Sequence, residues 1–167
     1  MLFRSKGPFT MVDSTLATPL GQQPLRHGVS IVMHSATKGI AGHNDATLGV
    51  IAAEKEIVDT IWGYSVLHGA TASPFDALNG LRGVRTLGAR LRQQSETAQQ
   101  LAEWLTTHPA VKRVNYPGLT SHPQHELARR QMRWFGSIMS VELCGGVDEA
   151  RALTKGLRLV QIGRAHV

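Results

Sequence analysis

The sequence predicts an α/β fold, and three observations carry that expectation. Short β-branched runs close on polar or charged residues, stretches of helical periodicity follow them, and glycine and proline punctuate the boundaries. "PFTMVDS", residues 8–14, is an apolar run closing on an acid and a hydroxyl. "VSIVMHS", residues 29–35, is a β-branched run closing on a hydroxyl. Both read as buried strands. Between them "TPLGQQPLRHG" reads as a loop with at most one helical turn, and "TLGVIAA", residues 47–53, as a third strand. From Glu54 to about Leu67 the apolar positions Ile57, Val58, Ile61, Trp62 and Val66 recur at helical spacing, and Gly69 stands where a helix end takes a left-handed residue.

Ser73 is a good N-cap, with Pro74 in the first turn and Asp76 three residues after the cap, near the positive end of the helix dipole. A longer helix follows, around residues 82–107. Leu81, Val84, Leu87, Leu91, Ala98, Leu101 and Leu105 hold one face, Gly83 and Gly88 weaken or bend it early, and Pro109 marks its end. "VKRVNY", residues 111–116, reads as a strand and Pro117-Gly118 as a turn. Ser121 with Gln124 forms a capping box for a helix to about Phe135. "SIMSVEL" (137–143) alternates as a strand, "VDEARALTKG" (147–156) is helical, and "LRLVQ" (157–161) opens another strand. The first part has the strand and helix alternation of α/β proteins, the second is a smaller α+β unit, and the long helix joins them.

Composition bounds the function. With 42% hydrophobic and 18% charged residues the chain has the profile of a soluble globular protein, and neither a membrane span nor a signal peptide is indicated, so the cytoplasm is the expected compartment. The formal charge of +6 is scattered along helical segments without interleaved aromatics, which argues for a solvated basic surface and no nucleic-acid partner. Cys144 has no second thiol to pair with and reads as a buried small hydrophobe with no catalytic role. The tail "IGRAHV" is a translation of ATC GGA AGA GCA CAC GTC, a common sequencing-library adapter. The opening "MLFRS" is a translation of its reverse complement read from a GTG start. Residues 1–5 and 162–167 are therefore expected to be adapter-derived, and with them the charges of Arg4 and Arg164. Residues 6–90 would then form part of a ligand-binding domain and residues 91–161 the start of a C-terminal one.

The chemistry concentrates in "VMHSATKGIAGHND", residues 32–45. Lys38 follows a buried strand by three residues, and ligands of open α/β sheets bind at the carboxyl ends of strands. Ser35 and Thr37 flank it with hydroxyl donors that, with backbone amides of the turn, can hold a phosphate, while Gly39, Gly42 and Gly49 allow close backbone approach. Asp13 ends the neighbouring strand. An amine, a phosphate cradle and a carboxylate at adjacent strand ends suit pyridoxal 5'-phosphate (PLP), which joins a lysine and pairs its ring nitrogen with an acid. Taken alone each piece is weak, since most lysines after Ser-x-Thr are surface residues and a strand-final Asp is more often a cap or turn residue. The residues leave two readings open, a PLP enzyme or a non-catalytic phosphate-binding α/β module in which Lys38 only neutralises charge.

"SATKGIAGHND", preceded by "VDST" and followed by "LNGLRGVRTLGARL" and "HPAVKRVNYPGLTSHPQHELARRQM", resembles the Cys/Met-metabolism family of PLP enzymes, which includes cystathionine γ-synthase, cystathionine γ-lyase and methionine γ-lyase. The match runs from about Phe9 to Gln161. It implies a fold-type I PLP-dependent transferase fragment, comprising part of the mixed-sheet cofactor domain and the start of a smaller α+β C-terminal domain. It also implies that Lys38 is covalently joined to PLP and then moves protons on the substrate, that Ser35 and Thr37 bind the cofactor phosphate, and that Asp13 binds the ring nitrogen. The reaction class implied is elimination or replacement at the γ or β carbon of a sulfur amino acid or an activated homoserine. The family's tetramers of dimers that share active sites imply a homo-oligomer. Gly39 stands where the family usually has an aromatic residue, Ser30 where it has Asp and Ser14 where it has Asn, departures that touch pocket shape and not the reactive groups. The family's subunit is more than twice as long and supplies further cofactor and substrate contacts outside this stretch, so the chain by itself is expected to be inactive.

Other residues invite misreading. His122 and His125 have metal-like spacing but sit at an expected helix start without an acidic or cysteine ligand. His34 and His43 bracket the lysine; His43 can either face the pocket or make a structural hydrogen bond, and neither is placed in the catalytic set. Trp62, Trp104 and Trp134 read as core or interface residues.

Overall fold

The computed structural model describes residues 8–159. The expected adapter-derived stretches, 1–5 and 162–167, lie outside the described residues, as do Val160 and Gln161 of the last expected strand. The chain divides into two compact units, one through Gly88 and one from Ala89.

In the first unit, β1 (Met11–Asp13), β2 (Ile31–Ser35) and β3 (Gly49–Ala53) form a three-stranded mixed sheet in that order. β1 runs parallel to β2 with Asp13 opposite Met33, and β3 runs antiparallel with Ala52 opposite Val32 and Gly49 opposite Ser35. A parallel pair needs a crossover. Here it contains α1 (Thr18–Gly21) and a 3-10 turn (Pro24–His27), one turn more than expected, and each carries a proline at its start, where the missing N–H costs nothing. Along β2, Val32 and His34 are buried while Met33 and Ser35 are half-buried, so Ser35 shares a face with Asp13 and His34 takes the other. α2 (Lys55–His68) ends on Gly69, whose φ of 70° is the left-handed cap the sequence predicted.

α3 runs unbroken from Pro74 to Thr106, so the expected short helix and longer helix are one element and neither Gly83 nor Gly88 interrupts it. Its start is capped as predicted: the Asp76 N–H donates to Ser73 Oγ at 3.1 Å, and Ser73 Oγ donates to Asp76 Oδ2 at 2.6 Å. Its buried stripe keeps the expected Leu87, Leu91 and Ala98 and differs elsewhere. Gly80, Gly83, Leu87, Leu91, Ser95, Ala98 and Ala102 are buried, whereas Leu81, Val84 and Leu101 are 55%, 51% and 45% exposed. The reason is close packing in the first unit. A Cβ built on Gly80 would lie 2.9 Å from a Leu48 methyl, and one on Gly83 would lie 2.6 Å from the Ile40 carbonyl oxygen and from Ala41 Cα. Leu87 closes the stripe against a small core of Ala36, Ile40 and Leu48.

In the second unit, β4 (Val111–Asn115) pairs antiparallel with β5 (Ser140–Leu143). Ala98 and Ala102 of α3 pack with Val114, Tyr116 and Leu119. The Tyr116 hydroxyl, fully buried, donates to the Gly136 carbonyl at 2.8 Å. α4 spans only His125–Gln131, with no capping bond at its start, so the capping box at Ser121 and the extension to Phe135 do not form. Pro123 explains the late start, because the residue before a proline is pushed out of the helical region. α5 covers Val147–Gly156 as predicted. Leu157–Leu159 pair with no strand among the described residues. Cys144 is exposed and not buried, since it lies one residue past the last β4–β5 pair, Val111 with Leu143. Trp62 and Trp104 are 63% and 58% exposed and so are outside the core. Among the described residues no helix is long and apolar enough to cross a membrane.

Candidate active site

Asp13 and Ser35 come together at one edge of the sheet because β1 and β2 are parallel neighbours that end almost level. A hydrogen-bond chain joins them. Thr15 donates to Asp13 Oδ1 twice, from its N–H at 2.9 Å and its hydroxyl at 2.5 Å, and the Thr15 oxygen accepts the Ser35 N–H at 2.7 Å. These bonds, first the Thr15 hydroxyl and then its N–H, hold the Asp13 carboxyl below the usual aspartate range, aided by charge attraction to His34 and opposed by slight desolvation. Asp13 is exposed and anionic, with both bonds on Oδ1.

Past Ser35 the chain folds into tight turns. The Lys38 N–H bonds the Ser35 carbonyl at 3.1 Å, the Ala41 N–H the Ala36 carbonyl at 2.8 Å, and the Gly42 N–H the Lys38 carbonyl at 2.8 Å. Gly42 takes φ of 70° here, and Gly39 lies against Thr18, whose methyl is 3.0 Å from where a Cβ would sit. Thr18 itself is buried with φ of 60°, an uncommon conformation for a β-branched residue. Thr37 is used differently from Ser35. Its hydroxyl accepts the Leu48 N–H at 2.9 Å and donates to the Leu48 carbonyl at 3.3 Å, clamping the turn to the start of β3. Asp76 and Asn79 hold the same loop from α3, by bonds to the Thr47 N–H at 2.8 Å and the Asp45 carbonyl at 2.9 Å.

The donor set fits a PLP molecule. Among the described residues the Ser35 hydroxyl meets no partner, the anionic Asp13 keeps Oδ2 available for a ring N–H, and Lys38 stands on the turn that follows Ser35. Thr37 fits with one adjustment, for its bond to the Leu48 carbonyl is long for O–H···O and its proton turns easily toward a phosphate. Thr15 is the member of the site that sequence reasoning passed over, although it stands in "VDST" beside Asp13.

Of the histidines near the lysine, His43 makes a structural contact, whereas His34 Nδ1 is buried with no hydrogen-bond partner among the described residues. His43 Nδ1 lies 2.7 Å from the Ala41 carbonyl. His34 is 5% exposed and lines, with Pro19, Pro24, Arg26, Val32 and Ala52, a cavity of about 300 Å³ on the sheet face away from Asp13 and Ser35. Burial pushes its pKa down, against a hydrogen bond to the Ser14 backbone and the Asp13 charge. Ser14 Oγ is buried without a partner among the described residues, and the Ser30 N–H donates to the Thr10 hydroxyl at 3.1 Å. No group of His, Cys, Asp and Glu among the described residues could hold a metal ion; His125 Nδ1 instead meets the Pro117 carbonyl at 2.8 Å.

A mixed α/β sheet that brings a carboxylate, a hydroxyl and a turn-borne lysine to its strand ends is an arrangement that fits the PLP-dependent class of proteins. The chain belongs to the Cys/Met metabolism PLP-dependent enzyme family, whose model matches residues 1–165. It is 42% identical to a cystathionine beta-lyase from Coxiella burnetii across 97% of this chain, and 41% identical to an L-methionine gamma-lyase from Fusobacterium nucleatum subsp. polymorphum across 91%. A crystal structure of cystathionine gamma synthase from Xanthomonas oryzae pv. oryzae in complex with aminoacrylate and cysteine superposes with a TM-score of 0.91 at 44% identity, covering 94% of this chain and 41% of the other. The fold-type I expectation and the resemblance are both borne out. The chain spans about two fifths of the length of these relatives, 42% and 39% of the two lyases.

Proposed function

We propose that the full-length protein is a PLP-dependent transsulfuration enzyme that catalyses elimination or replacement at the γ or β carbon of sulfur amino acids or activated homoserine, of cystathionine γ-synthase or γ-lyase type. The observation that carries this reading is Lys38, held just beyond β2 by its N–H bond to the Ser35 carbonyl, with the Asp13 carboxylate tied through Thr15 to the same strand end. When bound, PLP supplies an aldehyde for amines and a ring that withdraws electrons from the substrate's α carbon. Asp13, anionic and held by Thr15, would keep a proton on the ring nitrogen. Ser35 and Thr37 would bind the phosphate through their hydroxyls. Lys38 Nζ would anchor the cofactor and, with substrate bound, would act as the base and acid that moves a proton from the α carbon to atoms further along the substrate.

The similarity to an L-methionine gamma-lyase and to an O-succinylhomoserine sulfhydrylase from Pseudomonas aeruginosa, 44% identical, supports a second reading within the same family. The protein would work in the cytoplasm as a homo-oligomer, a tetramer of dimers sharing active sites. The exposed Trp62 and Leu67 of α2, at 63% and 85%, and Phe75 of α3, at 80%, are apolar surface that such an assembly would cover. Borohydride reduction of the PLP-loaded full-length protein, followed by peptide mass spectrometry, tests the central claim. A pyridoxyl adduct on Lys38, absent in Lys38→Ala, is expected. An unmodified Lys38 would mean a phosphate-binding module and not an enzyme.

A further inference from the structure

We infer that Thr15 is a positioning residue for the Asp13 carboxylate, its hydroxyl being the joint between that carboxylate and the strand end that carries Ser35. The inference rests on the reading of Asp13 as the partner of the cofactor's ring nitrogen and adds how that partner is aimed.

Thr15 has one hydroxyl proton, and it points to Asp13 Oδ1 across 2.5 Å, within the range of charge-assisted O–H···O⁻ bonds. The Thr15 N–H reaches the same oxygen at 2.9 Å. With two donors on Oδ1 the carboxylate cannot rotate freely, and Oδ2 is the oxygen left to take a ring N–H. The Thr15 oxygen also accepts the Ser35 N–H at 2.7 Å. One side chain therefore sets the orientation of the carboxylate and ties the end of β1 to the end of β2, from which the turn holding Lys38 begins. His34 is the ionisable group felt by Asp13 from β2.

Thr15→Val keeps the shape and removes the hydroxyl, Thr15→Ala is a second hydroxyl-free variant, and Thr15→Ser restores the donor. In the cofactor-free full-length protein carrying ¹³C-labelled aspartate, Asp13 is expected to titrate at higher pH in Thr15→Val and Thr15→Ala than in wild type, with Thr15→Ser unchanged. PLP retention on dialysis should weaken about tenfold in the two hydroxyl-free variants, the factor carried by one hydrogen bond to a charged group. A purely structural Thr15 would lower the melting temperature without moving the Asp13 titration. That result, or a Thr15→Ser variant as impaired as Thr15→Val, overturns the inference. Asp13→Asn separates this inference from its foundation. If Asp13→Asn leaves the pH dependence of the bound cofactor's absorbance unaltered, the role of Asp13 itself fails. If it alters that profile while Thr15→Val does not move the Asp13 titration, only the role of Thr15 fails.

Discussion

Gly83→Ala should destabilise this protein although the same exchange in an open helix stabilises it. In a helix interior, alanine is favoured over glycine by about 1 kcal/mol. At Gly83 a new Cβ would lie 2.6 Å from the Ile40 carbonyl oxygen and 2.6 Å from Ala41 Cα, and would also meet the Ala41 carbonyl oxygen. Comfortable carbon contacts begin near about 3.5 Å, so helix and turn must separate by on the order of 1 Å. Overpacking of this kind costs about 1–3 kcal/mol, and here backbone and not a side-chain tip has to yield, which favours the upper end. The net expectation is a loss of about 1–2 kcal/mol, or several °C in melting temperature at about 2–4 °C per kcal/mol for a chain of this size. Gly88→Ala is the control, because its Cβ would meet only a Leu20 methyl at 3.7 Å, an ordinary contact, and the propensity gain should survive. Melting curves of both variants beside wild type measure the difference. The displaced turn carries Lys38, so Gly83→Ala should also retain PLP less well, whereas Gly88→Ala should not. If Gly83→Ala melts at or above Gly88→Ala and keeps its cofactor equally, the close-approach argument is wrong.

Thr37→Val should cost about 1–2 kcal/mol in urea unfolding by stranding the Leu48 N–H, with Thr37→Ser recovering most of it. Stability should fall with pH through His34. Its folded pKa lies below the ordinary histidine value of about 6.5, so its contribution is complete above that value and is lost as pH falls from there through the folded pKa. Urea midpoints measured in steps below about pH 6.5 should show this slope, and His34→Gln should flatten it. Tyr116→Phe should cost about 1–2 kcal/mol because it leaves the buried Gly136 carbonyl without its donor, and an unchanged unfolding midpoint would count against that bond.

Much of the site was legible along the chain. Strand ends, hydroxyls and an amine at fixed spacing in 32–38 are local features, and the Ser73/Asp76 cap and the Gly69 terminus were read correctly for the same reason: the groups involved lie within a few residues of each other. Thr37 and Thr15 mark the limit. Thr37 clamps Leu48, eleven residues away, and Thr15 reaches Ser35 from twenty residues upstream, so their partners exist only once the strands have paired. The capping box at Ser121 was a local reading overruled by another local rule, the proline that follows His122.

By itself the amino-acid sequence determined the order of strands and helices and the local signals at Ser73 and Gly69, because those depend on propensity and spacing, while the tie of Lys38 to PLP chemistry came from the resemblance of its surrounding motif to a known family. Tertiary structure decided which stripe of α3 faces inward and which Thr hydroxyl serves which partner. Periodicity placed Leu81, Val84 and Leu101 on the inward stripe with Leu87, Leu91 and Ala98, yet Gly80 and Gly83 take the inward places, and at Gly83 the missing side chain lets the helix backbone come close to the Lys38 turn. A pattern of hydrophobic residues records what can be buried, and only the packed neighbours determine where burial leaves no room for a side chain at all.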